Sequence, residues 1–599
     1  MLKRKTVSLL LLGALLSTAN FTLHANPAEW SGIRGGLVVE VGPSDGDDVL
    51  ALAATGRFLV QVLVRDADRL AATQARIRQA KVEGLATVRQ VVDYTSLPYS
   101  ERLANIVVVR DASVDAAEVH RVLVPGGSLV VQPGLWSTAD LERFGFEFIR
   151  TFESDDTWLV ARKPWPDNMD TWSHPRHNAD GNAVSQDTLV GPPERVRWVA
   201  AATSEVEGLV SDAGRNFYGG LLARDSFNGL RLWHRDLRKG EHNSPRFVLP
   251  ALSGDDPRPV VAGDRLFAYV KGELVALDAA TGDVLVTYVG MVRPREVMVH
   301  QETVIASDEG HLRAYQAETG KELWSLASPE ARNIVASSDV VSLIQGRPKR
   351  GEPSEAIALD LYSGATLWTN TFEWLPKVTR TVMHEDSLAY EVSSLSDHDR
   401  GNALHIVNAR TGTPAWSKAY PPGMNHRRQA RAMFLDDQIW ILHGAKTNTG
   451  GDKKDVVRVP THAVALNAAT GETNATHKAG MAHCFPPVAT PNYIFSGELD
   501  LTDLKSGEVK ANRITKANCS KENGWVPANG LIYTTPKHCT CWPMLRGYVA
   551  MAPERAAEDV HVPVEPLHTG SVVSDPNAPD IADTDWPMYR HDGWRSAST

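Results

Sequence analysis

Residues 358–368 read ALDLYSGATLW, and the long middle of the chain is built from copies of this stretch. Residues 223–233 read ARDSFNGLRLW, 276–286 ALDAATGDVLV, 314–324 AYQAETGKELW, 406–416 IVNARTGTPAW, 465–475 ALNAATGETNA and 501–511 LTDLKSGEVKA. In all seven a polar residue (Asp225, Asp278, Gln316, Asp360, Asn408, Asn467, Asp503) stands four before a glycine (Gly229, Gly282, Gly320, Gly364, Gly412, Gly471, Gly507). A short Asp or Asn side chain can bond backbone two residues on and fix a turn, and glycine accepts a positive φ there. Trp233, Trp324, Trp368 and Trp416 follow four residues after the glycine. Each is expected to lie across the neighbouring sheet, over a small alanine where one is present. Val286, Ala475 and Ala511 take that place in the other copies, so sheets two, six and seven are expected to dock more loosely.

The motif glycines are spaced by 53, 38, 44, 48, 59 and 36 residues, a period that marks a propeller or another repeat array. Runs before the copies, such as DRLFAYVKGELVAL (264–277) and TVIASDEGHLRAY (303–315), read as paired strands with a tight turn. Each repeat is therefore one small antiparallel sheet. An eighth sheet is expected from NGLIYTT (529–535) with GYVAMA (547–552), which has the strands without the motif turn. Closure of an eight-sheet ring would place residues 195–201 beside that last strand, while a seven-sheet ring remains an alternative.

The motif, taken together with this period, resembles the pyrroloquinoline-quinone-type repeats of eight-bladed β-propellers. That resemblance covers quinone-dependent alcohol and sugar dehydrogenases, which hold the quinone against a disulfide between adjacent cysteines with calcium nearby. It equally covers non-catalytic propellers such as the outer-membrane assembly scaffolds. This chain has no adjacent cysteine pair. Pyrroloquinoline quinone with calcium is thus a possible cofactor rather than a favoured one, and no catalytic residue is assigned. Loops between copies carry His426, Arg427, Arg428, His443 and His483, each more simply read as an ordinary loop or interior residue.

At 599 residues the chain exceeds one ordinary core, and its net charge of -10 includes no dominant basic run. Nucleic acid is excluded as an obligatory partner on that ground. A protein, a polysaccharide or a small molecule remains open as the ligand. The first 25 residues carry a basic start (Lys3, Arg4, Lys5), a short leucine-rich run and LHA at 23–25, the pattern of a secretory signal peptide. The chain is therefore expected to be periplasmic or extracellular, with no transmembrane span after removal of that segment.

Residues 32–165 alternate strand-like and helical runs, which means a doubly wound α/β sheet. An antiparallel pair over 146–152 and 157–162 is expected to close it. EVGPSDG (40–46) after the first strand and RVLVPGG (121–127) before the fifth resemble class I S-adenosylmethionine-dependent methyltransferases. The resemblance implies cofactor contacts from Glu40, Gly42, Gly46 and Asp93. Two departures count against a working enzyme: Ser44 stands at the middle glycine position, and Val64 stands where the family has a ribose-binding acid, with Asp66 displaced by two. An inactive methyltransferase-like domain is the expected state, and methyl transfer the less favoured alternative.

The propeller is expected over 168–556. Its last quarter holds Cys484, Cys519, Cys539 and Cys541, read as two disulfides of open connectivity, with a metal site as the alternative. WVPANG (525–530) through CTCWP (539–543) also resembles a planctomycete-type group of exported proteins that pair a methyltransferase-like front with quinoprotein-like repeats. Residues 557–599 begin as a proline-rich acidic linker and end WPMYRHDGWRSAST (586–599). Trp586, Arg590, His591 and Ala597 keep the offsets of Trp172, Arg176, His177 and Ala183, so this tail reads as the first strand of a second propeller. Function narrows to a binding or assembly scaffold, with a quinone-dependent oxidoreductase as the alternative.

Overall fold

The computed structural model describes residues 27–42, 47–132, 134–153, 157–201, 208–219, 222–235, 258–270, 272–346, 353–392, 402–420, 431–444, 460–481, 486–497, 499–512, 514–515, 524–535, 545 and 547–554. The four cysteines, Gly46, residues 426–428, His483, the signal segment before residue 27 and the tail 557–599 lie outside these residues.

The front of the chain forms one seven-stranded sheet in the order β3-β2-β1-β4-β5-β7-β6. Its strands are β1 (Gly36–Val41), β2 (Phe58–Val64), β3 (Ala86–Gln90), β4 (Ala104–Val109), β5 (Leu123–Val131), β6 (Glu147–Glu153) and β7 (Thr157–Arg162). The first five pair in parallel, and β7 and β6 run antiparallel at the edge. Valine-rich strands such as ANIVVV are buried along their whole length, as a sheet covered on both faces requires. This is a doubly wound, Rossmann-like α/β fold. Its longest helix, α1 (Ala67–Ala80), starts at Asp66, whose side chain accepts the Arg69 N–H.

Eight four-stranded antiparallel sheets follow and close a propeller ring. They span residues 209–234, 260–288, 296–327, 332–370, 378–419, 433–481, 488–511 and 526–552. The eighth sheet has only three strands of its own, and β8 (Arg195–Ala200) adds the fourth, antiparallel to Tyr548–Ala552. The ring is thus closed by a strand that precedes the first sheet in sequence, which settles the count at eight.

The repeat motif forms the outer hairpin of the first seven sheets. Its Asp or Asn oxygen accepts backbone N–H groups two and three residues on, as Asn408 does from Arg410 at 3.1 Å and Thr411 at 2.9 Å. The seven motif glycines have φ between +69° and +77°. A Cβ on Gly364 would sit 2.7 Å from the Trp324 ring of the preceding sheet, so the tryptophan lies on the next motif's glycine. Its indole N–H also reaches across: Trp233 to Ala279 O, Trp324 to Leu361 O, Trp368 to Ala409 O and Trp416 to Ala468 O, all at 2.8–3.0 Å.

Two expectations about loosely docked sheets are corrected by this geometry. In sheet two the Tyr288 hydroxyl donates to Ala317 O at 2.6 Å. In sheet six His477 Nε2 stands 3.2 Å from Leu504 O, with its ring against Gly507. Both residues stand two positions after the missing tryptophan, on the same face of the strand, because side chains alternate with period two. The same bond is therefore supplied from one register further on. Trp198 of β8 completes the set, donating to Ser226 O at 2.8 Å and covering Gly229.

Candidate functional site

The first strands of sheets eight and one to five neighbour one another in succession. One segment, residues 170–187, crosses the axial end of the ring and bonds to every sheet. Asp170 O accepts Asn529 N, and Trp172 exchanges two bonds with Ser211. Ser173 O takes Val261 N, and His174 Nε2 takes Val299 N. Ala179 O takes Ala336 N and Asp180 O takes Met383 N. Asn182 bonds Phe434 through both its amide atoms, and Ala183 O takes Ala489 N. Asp187 Oδ2 then accepts Gly530 N at 2.6 Å, which returns the segment to the eighth sheet where it began.

The segment is fixed internally as well. Asp170 Oδ2 lies 2.7 Å from His177 Nε2 and accepts Gln186 N at 2.6 Å. Burial raises the Asp170 carboxyl, but the His177 bond and two backbone N–H groups outweigh it and hold the group below the usual carboxylate range. Burial pushes the His174 imidazole down to about 3, so this ring stays neutral and accepts the Val299 N–H. In the sequence, Trp172, Arg176 and His177 stand in a stretch that precedes the first sheet. Their spread of Asn, Asp and Ser without strand periodicity carried no signal for an eight-fold set of contacts.

Between this segment and sheets two to five lies a cavity of about 780 Å³. Six arginines line it (Arg176, Arg258, Arg293, Arg295, Arg332 and Arg380), against Glu296, Glu309 and Glu330. Glu296 accepts the N–H groups of Asn333 and Ile334, while Glu309 lies 2.9 Å from Arg293 and 3.9 Å from Arg295. Arg293, Glu330 and Asn333 hold positive φ of 55°, 55° and 52°, a conformation that non-glycine residues adopt at some energetic cost. Val297, Met298, Ile305 and Ile334 provide an apolar floor. The cavity can hold an anionic ligand by charge-assisted hydrogen bonds. Sequence reasoning missed it because its arginines come from distant stretches that only ring closure brings together.

Of the residues carried over from the methyltransferase resemblance, Glu40, Gly42 and Asp93 are described and Gly46 is not. A cofactor crevice would lie beyond the carboxyl ends of β1, β2 and β4. Glu40 is fully buried, and its carboxylate is bound by Arg110 Nε at 2.6 Å. The backbone at Gly42 (φ +105°) lies hard against Asp111, and Arg65 bridges to Asp111 at 2.9 Å across this end of the sheet. Asp66 caps α1, Val64 is buried in the core, and Asp93 is an exposed turn residue bonded to Thr95. Glu40 and Asp93 are thus both engaged by groups of this chain.

Among the described residues no group of three or more His, Cys, Asp or Glu could hold a metal, and no tryptophan lines the cavity to stack on a planar ring. His443 pairs across the sixth sheet with His462 at a ring distance of 6.0 Å, away from the axial lining.

The profile of the family described as outer membrane protein assembly factor BamB matches residues 218–368 and 308–484. Among curated proteins none matches the chain. BamB from Moraxella catarrhalis is similar in structure, at 16% identity over 48% of this chain and 79% of that one, with a TM-score of 0.31. Quinohemoprotein alcohol dehydrogenase from Comamonas testosteroni is similar at 12% identity over 64% of this chain and 81% of that one, TM-score 0.43. The front region is similar to a SAM-dependent methyltransferase from Aquifex aeolicus, at 13% identity over 22% of this chain and 86% of that one, TM-score 0.20.

Proposed function

We propose that this chain is an exported propeller that works as a binding or assembly scaffold for a protein partner in the cell envelope. The observation that carries the reading is the axial mouth, a rigid arginine-lined cavity in a ring that residues 170–187 tie together sheet by sheet. Rigid scaffolds that present concave polar surfaces suit recognition. The profile match to an outer membrane assembly factor supports the same class, and the basic, leucine-rich start of the chain supports export. Among the described residues no helix is long and apolar enough to cross a membrane. The front domain serves this scaffold as a packing element and carries no methyl transfer.

The test is isolation of the tagged chain from the envelope of its source cells, followed by size-exclusion chromatography. A protein co-eluting in fixed stoichiometry is the expected result. A monomer that reduces dyes with alcohols after incubation with pyrroloquinoline quinone and calcium would contradict the reading.

A further inference from the structure

The geometry points to the axial cavity as the binding site for a carboxylate-rich peptide segment of the partner protein. This rests on the scaffold reading above and adds the chemistry of what is bound. Six arginines face three glutamates in a chain whose net charge is -10, so the lining concentrates positive charge against the trend of the molecule. Guanidinium groups present paired N–H donors that match carboxylates two at a time. Lysine is absent from the lining among the described residues, which favours this directional recognition over a diffuse basic patch.

Three features favour a peptide over an acidic sugar. The chain holds 16 tryptophans, yet none lines the cavity, and Tyr269 is the one tyrosine or phenylalanine there among the described residues. A sugar ring would therefore lack the aromatic platform it stacks on. The floor of Val297, Met298, Ile305 and Ile334 suits aliphatic side chains interleaved with acids. The nearby first strands already spend N–H groups of Val299, Ala336 and Met383 on residues 170–187, so the peptide is held by side chains rather than as an added strand.

The experiment measures binding of a fluorescent ten-residue Asp/Leu peptide to the full chain, beside the same peptide with Asn for Asp and an oligogalacturonate. The double variant R293E/R295E changes two arginines at the cavity rim, and circular dichroism checks that it folds. R332Q is the second variant. Wild type is expected to bind the acidic peptide alone, with affinity falling about tenfold or more in R293E/R295E and weakening with salt. Binding of the oligogalacturonate alone, or peptide binding unchanged in both variants, would overturn the proposal, as would no binding at all. If the envelope partner still co-elutes with R293E/R295E undiminished, the cavity assignment fails while the scaffold reading stands.

Discussion

Gly364 shows why the repeat tolerates so little change at one position. Its φ is +69°, and a Cβ there would press into the Trp324 ring at 2.7 Å. Gly364→Ala should therefore lose about 2 kcal/mol or more, combining backbone strain with overpacking, and urea denaturation would measure it. Trp198→Phe keeps the aromatic cover over Gly229 but removes the bond to Ser226 O. We expect a loss of about 1 kcal/mol, read from the same denaturation series. The Asp–Gly–Trp pattern was legible because each residue acts within its own hairpin or on the next copy. Tyr288 and His477 were not legible, because their equivalence to tryptophan appears only once the register between sheets is known. Trp198 was hidden for another reason, since its strand is separated in sequence from the sheet it completes.

At the scale of elements, two pieces outside the repeats hold the ring. The first is the axial segment 170–187. Its His174 has a pKa of about 3 in the fold, against about 6.5 in an unfolded chain. As pH falls from about 6.5 towards 3 the unfolded state takes up a proton that the folded state refuses, so stability declines by up to about 1.4 kcal/mol per pH unit. His177 and His300 face the same ring and add to the repulsion. His174→Gln should flatten this acid slope between pH 6 and 4, measured as urea midpoints against pH.

The second piece is the stretch leading into β4, which clasps the seam where the ring closes. Glu101 bonds Arg195 at 2.8 Å and Arg197 at 3.4 Å on β8, while Asn105 bonds Asp225 and Leu103 O accepts from Asn228 on the first sheet. Arg197 also donates to Arg102 O and Phe227 O, joining all three parts. Burial raises the Glu101 carboxyl, but Arg197 and Arg195 outweigh it and hold it below its ordinary value. Its contribution is thus present above the unfolded value of about 4.3 and is lost as pH falls through the lower folded one. Glu101→Gln should speed hydrogen exchange in β8 at neutral pH and abolish this part of the acid dependence. The alternation of strands and helices made the front sheet readable, down to its antiparallel edge pair. The clasp was not readable, because Glu101 before β4 and Asn105 at its start look like any polar residues until the ring lies beside them.

At the scale of the whole molecule, the front fold contacts the ring at its seam, and the ring carries an arginine-lined cavity at its axial end. The front sheet keeps the order β3-β2-β1-β4-β5-β7-β6, with Arg110 on Glu40 and Arg65 on Asp111 at the carboxyl ends of its central strands. The account's central claim is that the mouth of the ring is the binding surface. Site-specific photo-crosslinking in the source cells tests it most directly, with the probe at position 293 on the rim or at position 509 on an exposed outer strand. The account predicts one discrete protein adduct from position 293 and none from position 509. Adducts from 509 alone, or no adduct from the rim, would contradict it.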